Sequence, residues 1–265
     1  MTTRLRRVGV AVAATAALLI YSFGGVAVAE DNTTTTDDPA EAAAGWLVTQ
    51  LTVDDGGAYV EGQHGLDVGL TIDVLVGLAG TGVAAGAMED IARYLEQPDT
   101  FASYTGLAFD DVWAGQTAKL LMAADILGLP TGDLVEQLED LQVNDDGHEG
   151  RYRNENHELD FSSTLSQALA VVALHRVGAN DTLDKGIGYL LTLQCDDDGF
   201  RQEPGDGECV ANADTTSVVA DALYTVGRDD EADRAVAWLA TQRTAEGAFQ
   251  GADDLSTNST GLAAV

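Results

Sequence analysis

The chain has 265 residues, 45% hydrophobic and 22% charged, with 13 Lys and Arg against 44 Asp and Glu and a formal net charge of −31 at pH 7. That balance argues against a nucleic acid as partner, since phosphate binding needs clustered cations. Solubility in an exposed environment accounts for such acidity without invoking a cationic ligand.

In chain order the first element is an export signal. Arg4, Arg6 and Arg7 precede an uncharged apolar run over 8–23, which leads to the small-residue triplet Ala27-Val28-Ala29. This order predicts a secretory signal peptide over residues 1–29. The run is short for a membrane-spanning helix of about 20 residues, and no later stretch is long and apolar enough to span, so no membrane association is expected after cleavage. Cleavage would remove three of the 13 basic residues and none of the 44 acidic ones, leaving ten against 44, a net charge of −34. Residues 30–41 begin with an acidic, Thr-rich stretch without apolar residues and read as a disordered spacer.

From residue 42 onward the chain repeats itself. An aromatic or leucine precedes a glutamine, an acidic glycine-containing stretch follows, and an alanine-rich apolar run then ends in glycine. The glutamines are Gln50, Gln97, Gln142, Gln194 and Gln242; the terminal glycines are Gly82, Gly128, Gly178 and Gly227. Both markers keep a period of 45 to 52 residues, that of a two-helix unit with its loops. First helices are predicted over 182–194 and 231–242, and second helices over 71–82, 117–128, 163–178 and from Asp214 to Gly227. Asp214, Thr215 and Thr216 are the cap candidates of the last, and Gly227 is its left-handed stop. No run of period two is long enough to predict a sheet, and the extended piece at 58–60 is read as loop. One such hairpin cannot bury its apolar faces alone, so neighbours must stack, in an open solenoid or a closed ring.

Two segments carry a specific resemblance: Lys185-Gly186-x-x-Tyr189-Leu190 to Gln194 with Gly199-Phe200, and Arg234-Ala235-x-x-Trp238-Leu239-x-x-Gln242 with Gly247-x-Phe249. A weaker copy is Gly45-Trp46-Leu47 to Gln50 with Gly57-x-Tyr59. They resemble the QW motif of the squalene/terpene cyclase and protein prenyltransferase repeat superfamily. The resemblance implies an all-α fold, an α/α toroid of tandem helical hairpins over residues 42–265, in which glutamine and aromatic stack to tie successive outer helices and the second helices line a cavity. Since 259–265 aligns with 215–221, the toroid is expected to be incomplete, with about four and a half of six hairpins.

The chemistry of that superfamily is not evident in the residues. A cyclase acid is written Asp-x-Asp-Asp-Thr, but Ala213 stands before Asp214-Thr215 where the resemblance would put the acid, and Asp196-Asp197-Asp198 falls in a turn. Asp110, Asp111 and Trp113 read as a helix start stabilised by acids beside a core Trp. Asp206-Gly207-Glu208-Cys209 has the wrong spacing for the prenyltransferase zinc pair. The acidic turns 54–57, 144–147 and 196–199 complete no EF-hand spacing and read as solvated turns. Neither metal nor cofactor is expected, and Cys195 and Cys209 are predicted to form a disulfide, as an exported chain allows.

These readings lead to an exported or cell-wall-associated, non-catalytic binding module. Residues at the starts of the second helices (Asp67, Asp111, Trp113, Gln116, Gln167, Asp214, Asn258) are the candidates for a polar rim around an unidentified small molecule or surface ligand. The alternative is a squalene-type cyclase or other toroid enzyme with its acid beyond Val265.

Overall fold

A computed structural model describes residues 36–63, 65–145, 147–156, 160–250 and 255–263. The signal peptide read over 1–29, spacer residues 30–35, and His64, Asp146, His157 and Glu158 lie outside the described residues.

Among the described residues the chain is predominantly helical, and its elements fall into five successive units. The first comprises α1 (Pro39–Thr49), the strands β1 (Thr52–Asp54), β2 (Gly57–Gly62) and β3 (Gly65–Asp67), and α2 (Val68–Thr81). The second comprises α3 (Ala85–Leu95), α4 (Pro98–Thr105), a 3-10 turn (Leu107–Phe109) and α5 (Ala114–Leu127). The third has α6 (Gly132–Asp140), β4 (Gln142–Val143), β5 (Arg151–Tyr152) and α7 (Thr164–Val177), and the fourth α8 (Leu183–Thr192) and α9 (Ala213–Thr225). The fifth has α10 (Asp229–Gln242), β6 (Phe249–Gln250), β7 (Leu255–Ser256) and α11 (Thr257–Leu262).

The second helices α2, α5, α7, α9 and α11 pack in sequence order into one layer, and α3, α6, α8 and α10 each pack against the second helix that precedes them or that of their own unit. Alanines make this close approach possible: Ala118, Ala123, Ala168, Ala170, Ala173, Ala220 and Ala222 are essentially inaccessible. Neighbouring second helices run in parallel. Near their starts Gly115 of α5 abuts Ser166 of α7, and near their ends Arg176 of α7 bonds Asp125 of α5 through Nε and Nη2 at 2.9 and 2.7 Å. Lys119 of α5 pairs with Asp73 of α2 at 2.7 Å. Glycines stop three of these helices in the left-handed region, Gly82, Gly128 and Gly178, while α9 is capped by Val226 with left-handed Gly227 next.

The two layers are joined by one recurring hydrogen bond. The fourth residue of each second helix is Thr71, Thr117, Gln167, Thr216 or Thr260. Its side-chain oxygen accepts the backbone N–H of the turn that precedes the helix: Val60 on Thr71, Tyr152 on Gln167 and Phe200 on Thr216 at 2.9 Å, and Phe249 on Thr260 at 3.0 Å. Each of these three threonine hydroxyls donates in turn to the carbonyl four residues back, at 2.7 Å. Without that acceptor the turn would bury an unpaired amide. Only the second unit lacks the bond. There α4 and the 3-10 turn stand in place of the extended turn, and among the described residues the buried Thr117 hydroxyl has no partner.

Each turn also grips the following unit. A Cβ on Gly57 would lie 2.4 Å from the Asp90 carbonyl of α3, and one on Gly199 would lie 2.6 Å from the ring of Trp238 on α10, so only glycine fits at either contact. Trp238 Nε1 donates to Asp197 at 2.9 Å, and Gln97 Nε2 reaches back to the Gly56 carbonyl at 2.6 Å. The glutamine of the fourth unit does not tie helices: Gln194 closes its own turn on the Asp198 carbonyl. Cys195 and Cys209 are joined as a disulfide, and Arg201 fans across the carbonyls of Glu203, Gly205 and Gly207 inside the loop it closes.

Three expectations are corrected. The piece at 58–60 belongs to a strand, since β2 pairs antiparallel with both β1 and β3; its consecutive Ala58, Tyr59 and Val60 show no alternation. Helix α1 begins at Pro39, inside the expected spacer, because Asp38 accepts the Ala40 amide as N-cap and Pro39 has the φ of a first helical position. The first two second helices start three residues early, at Val68 and Ala114.

If the Thr216 hydroxyl carries the turn of its unit, Thr216→Val strands the buried Phe200 amide and lowers unfolding free energy by about 1–3 kcal/mol. Thr117→Val removes a hydroxyl that bonds nothing and leaves the urea midpoint unchanged or raised. Equal losses in the two variants would refute the role assigned to this bond.

Candidate functional site

The rim candidates do not form one rim. Asp67 is the N-cap of α2, accepting the Leu70 amide at 2.9 Å, and with Tyr104 and Lys119 it crowds Gly69. Burial, with the nearby Asp73 and Asp67 carboxylates, raises the Tyr104 phenol far above its ordinary value, so it stays neutral. Gln167 is 1% exposed: Oε1 accepts the Tyr152 amide and Nε2 donates to the Gly150 and Gly186 carbonyls. Its side chain is fully engaged as an internal brace, and its placement on a rim is corrected. Asn258 lies in the first turn of α11, and its side chain is outside what is described.

Asp111, Trp113 and Gln116 do converge. They line a cavity of about 460 Å³ together with Phe109, Asn154, Asn156, Phe161 and Ser166, between the starts of α5 and α7. Trp113 occupies the N-cap position of α5 without capping it. The buried Ala114 amide, which has no partner within the helix, is taken instead by Asn154 Oδ1 of the third unit at 3.1 Å. The Trp113 ring lies against Gly106, where a Cβ would come within 3.0 Å, and stacks on Phe109 with centroids 5.6 Å apart and planes 16° from parallel. Asp111, 6% exposed, anchors this arrangement. It accepts Trp113 Nε1 at 2.8 Å, the Val112 amide at 2.8 Å and the Asn156 amide at 2.9 Å. The acid therefore binds the second unit to the loop of the third. Gln116 bonds nothing among the described residues and faces the cavity with a free amide.

Phe161 enters from the third unit. The described residues 153–156 and 160–162 form a strap fixed by Asp160, which takes Arg151 Nη2 at 3.0 Å, Arg153 Nε at 2.9 Å, and the amides of Asn154 and Ser162 at 3.3 and 3.0 Å. Burial opposes the Asp160 charge, but the Ser162 hydroxyl and amide, the Arg151 charge and the Asn154 amide outweigh it and lower the pKa below the ordinary 3.8. The strap leaves Phe161 79% exposed and Phe109 stands 65% exposed, on loops that are otherwise tied down.

A second cavity of about 330 Å³ lies one unit further along, between the starts of α7 and α9, lined in part by Ser163, Leu165, Gln202, Asp214 and Thr215. Asp214 is not the cap of α9. Asn212 is, accepting the Thr215 amide at 2.9 Å, while Asp214 Oδ1 is sealed from solvent without a partner.

Sequence reasoning missed Phe109, Asn154, Asn156, Asp160 and Phe161. The signal that could have found them is positional: Phe109 and Phe161 are aromatics among acids just ahead of second helices in consecutive units. Among the described residues no group of three or more His, Cys, Asp and Glu is placed to hold a metal ion, and no helix is long and apolar enough to cross a membrane. A scan against protein-family models finds no match to this chain, and a search of the curated proteins finds none.

Asn212→Ala is expected to cost about 1 kcal/mol through loss of the cap. Asp214→Ala is expected to stay within about 0.5 kcal/mol, because a lost first-turn acid is offset by removal of an unpaired buried oxygen; chemical denaturation of both variants reads the difference. The strap has a pH signature. With a folded-state pKa lowered below 3.8, Asp160 contributes fully above that value and loses its contribution as pH falls through the lower folded one. The protection of the Ser162 amide relative to its intrinsic exchange rate should persist down to the ordinary carboxylate range and fall only below it, whereas in Asp160→Asn it is weaker and shows no such pH-dependent step.

Proposed function

We propose that the chain is an exported, non-catalytic binding domain of the α/α toroid type whose ligand site is the cavity walled by Phe109, Trp113 and Phe161. One observation carries the reading: two large aromatic side chains are held in water beside a concave, polar-floored space, at the unit where the recurring turn-to-helix bond is absent. Exposed aromatic surface is costly in a monomer and characteristic of recognition sites. The supports around it are built for position. Asp111 and Asp160 together accept seven donors that fix the two loops from which the aromatics project. Preorganisation of this kind raises affinity by reducing the ordering cost of binding.

Export is supported by the Cys195–Cys209 disulfide, a bond that persists in oxidising compartments. The toroid assignment is supported by the parallel second-helix layer with first helices packed on it. The enzyme reading finds no support at the candidate acids, since Asp111 serves as an anchor for three N–H groups.

A fragment screen by ligand-observed NMR on the purified chain tests the proposal. Hits should perturb the Trp113 indole resonance, and Phe161→Ala should weaken their binding by about tenfold while changing stability by less than about 0.5 kcal/mol, as an exposed side chain allows. Hits that bind without perturbing Trp113, or equally well in Phe161→Ala, would place the ligand elsewhere.

A further inference from the structure

The two cavities share a wall. Ser166, in the first, and Ser163 and Leu165, in the second, all belong to the opening of α7, so the cavities flank one helix start and are separated by about one helix spacing, 8–10 Å. They also repeat a chemistry. Each presents a glutamine amide with no hydrogen bond of its own among the described residues, Gln116 in one and Gln202 in the other, beside a hydroxyl, Ser166 or Thr215. In the second, neither oxygen of Asp214 accepts a hydrogen bond among the described residues.

Amides and hydroxyls both donate and accept, and so match groups that do the same. The acidic chain disfavours an anion, and Asp111, the carboxylate that lines the first cavity among the described residues, is already occupied by three N–H donors. The near-parallel Phe109 and Trp113 rings offer a flat apolar face rather than a side-chain hole, and the second unit presents no strand edge on which a peptide could add.

Resting on the cavity reading above, we propose that the two cavities are consecutive subsites for one extended, uncharged, polyhydroxylated chain, a neutral oligosaccharide. A ring stacks by its C–H face at Phe109, Trp113 and Phe161, the chain crosses the first turn of α7 over half-exposed Leu165, and a hydroxyl further along donates to Asp214 Oδ2, the carboxylate oxygen that is not sealed from solvent.

Calorimetric titration of the purified chain with neutral cello-, chito-, malto- and xylo-oligosaccharides from two to six units tests this. At least one series should bind, with affinity that rises about tenfold with length and then levels off. Phe161→Ala should weaken every length by about tenfold, whereas Asp214→Asn should weaken only the longer members and leave the disaccharide unchanged. Circular dichroism checks that both variants fold. Binding by no series, affinity independent of length, or an Asp214→Asn variant identical to the parent at every length overturns the proposal. Tetramethylammonium and an unstructured peptide library are titrated in parallel. If either perturbs the Trp113 indole while no saccharide does, the cavity reading stands and the carbohydrate inference falls; if nothing perturbs it, both fall.

Discussion

The fold depends on a single polar contact made again in every unit but the second: an oxygen at the fourth position of a second helix accepts the amide of the turn in front of it. A helical layer of alanine and leucine can slide, because apolar contacts are non-directional. A hydrogen bond cannot, and these bonds fix how far each turn sits along its helix, which in turn sets where the next first helix docks. Thr71, Thr216 and Thr260 achieve this with a hydroxyl that also donates to the carbonyl four residues back. Gln167 achieves it with an amide long enough to reach a further helix, α8, through the Gly186 carbonyl.

The exception explains the site. In the second unit Pro98 starts a helix where the others form extended turns, and Gly106 ends it in the left-handed region. The chain then arrives at α5 by a route that cannot meet Thr117. Its support comes from the third unit instead, through Asn154 on the Ala114 amide and Asp111 on the Asn156 amide. Units two and three are thereby cross-braced through buried groups, Asp111, Ala114 and Asn154, and the cavity lies beside these braces. Departure from the repeat, loss of the lock and exposure of aromatics thus have one origin.

Much of the fold was legible in the residues. Glutamines and glycines spaced by one period marked the units, and the glycines proved to be helix stops because only they adopt the left-handed turn without strain. The strands were not legible, since most have two or three residues and six-residue β2 carries three consecutive apolar residues instead of an alternation. The cap of α9 was misplaced by two residues because Asn212 and Asp214 are both good caps by type, and only the approach of the chain decides between them. The site was legible in part. Asp111, Trp113 and Gln116 stand close in sequence, but Asn154, Asn156 and Phe161 are some forty residues away, and their pairing with the second unit is a tertiary fact. Gln167 shows the converse error, since a polar residue at a helix start looks outward by type and is turned inward by the bonds that await it.

The few cations of this molecule have a collective effect. Arg93 pairs with Asp90, Lys119 with Asp73, Arg176 with Asp125, Arg228 with Glu231 and Arg234 with Asp198; Arg151 and Arg153 grip Asp160, Lys185 holds Asn144, and Arg201 faces carbonyls. Little positive potential is left to project outward, so at a distance the domain looks like a uniform polyanion. Approaching molecules are sorted before they touch it: like-charged ones are slowed by a barrier that thins as counter-ions accumulate, and uncharged ones arrive at the bare diffusive rate in dilute buffer and brine alike.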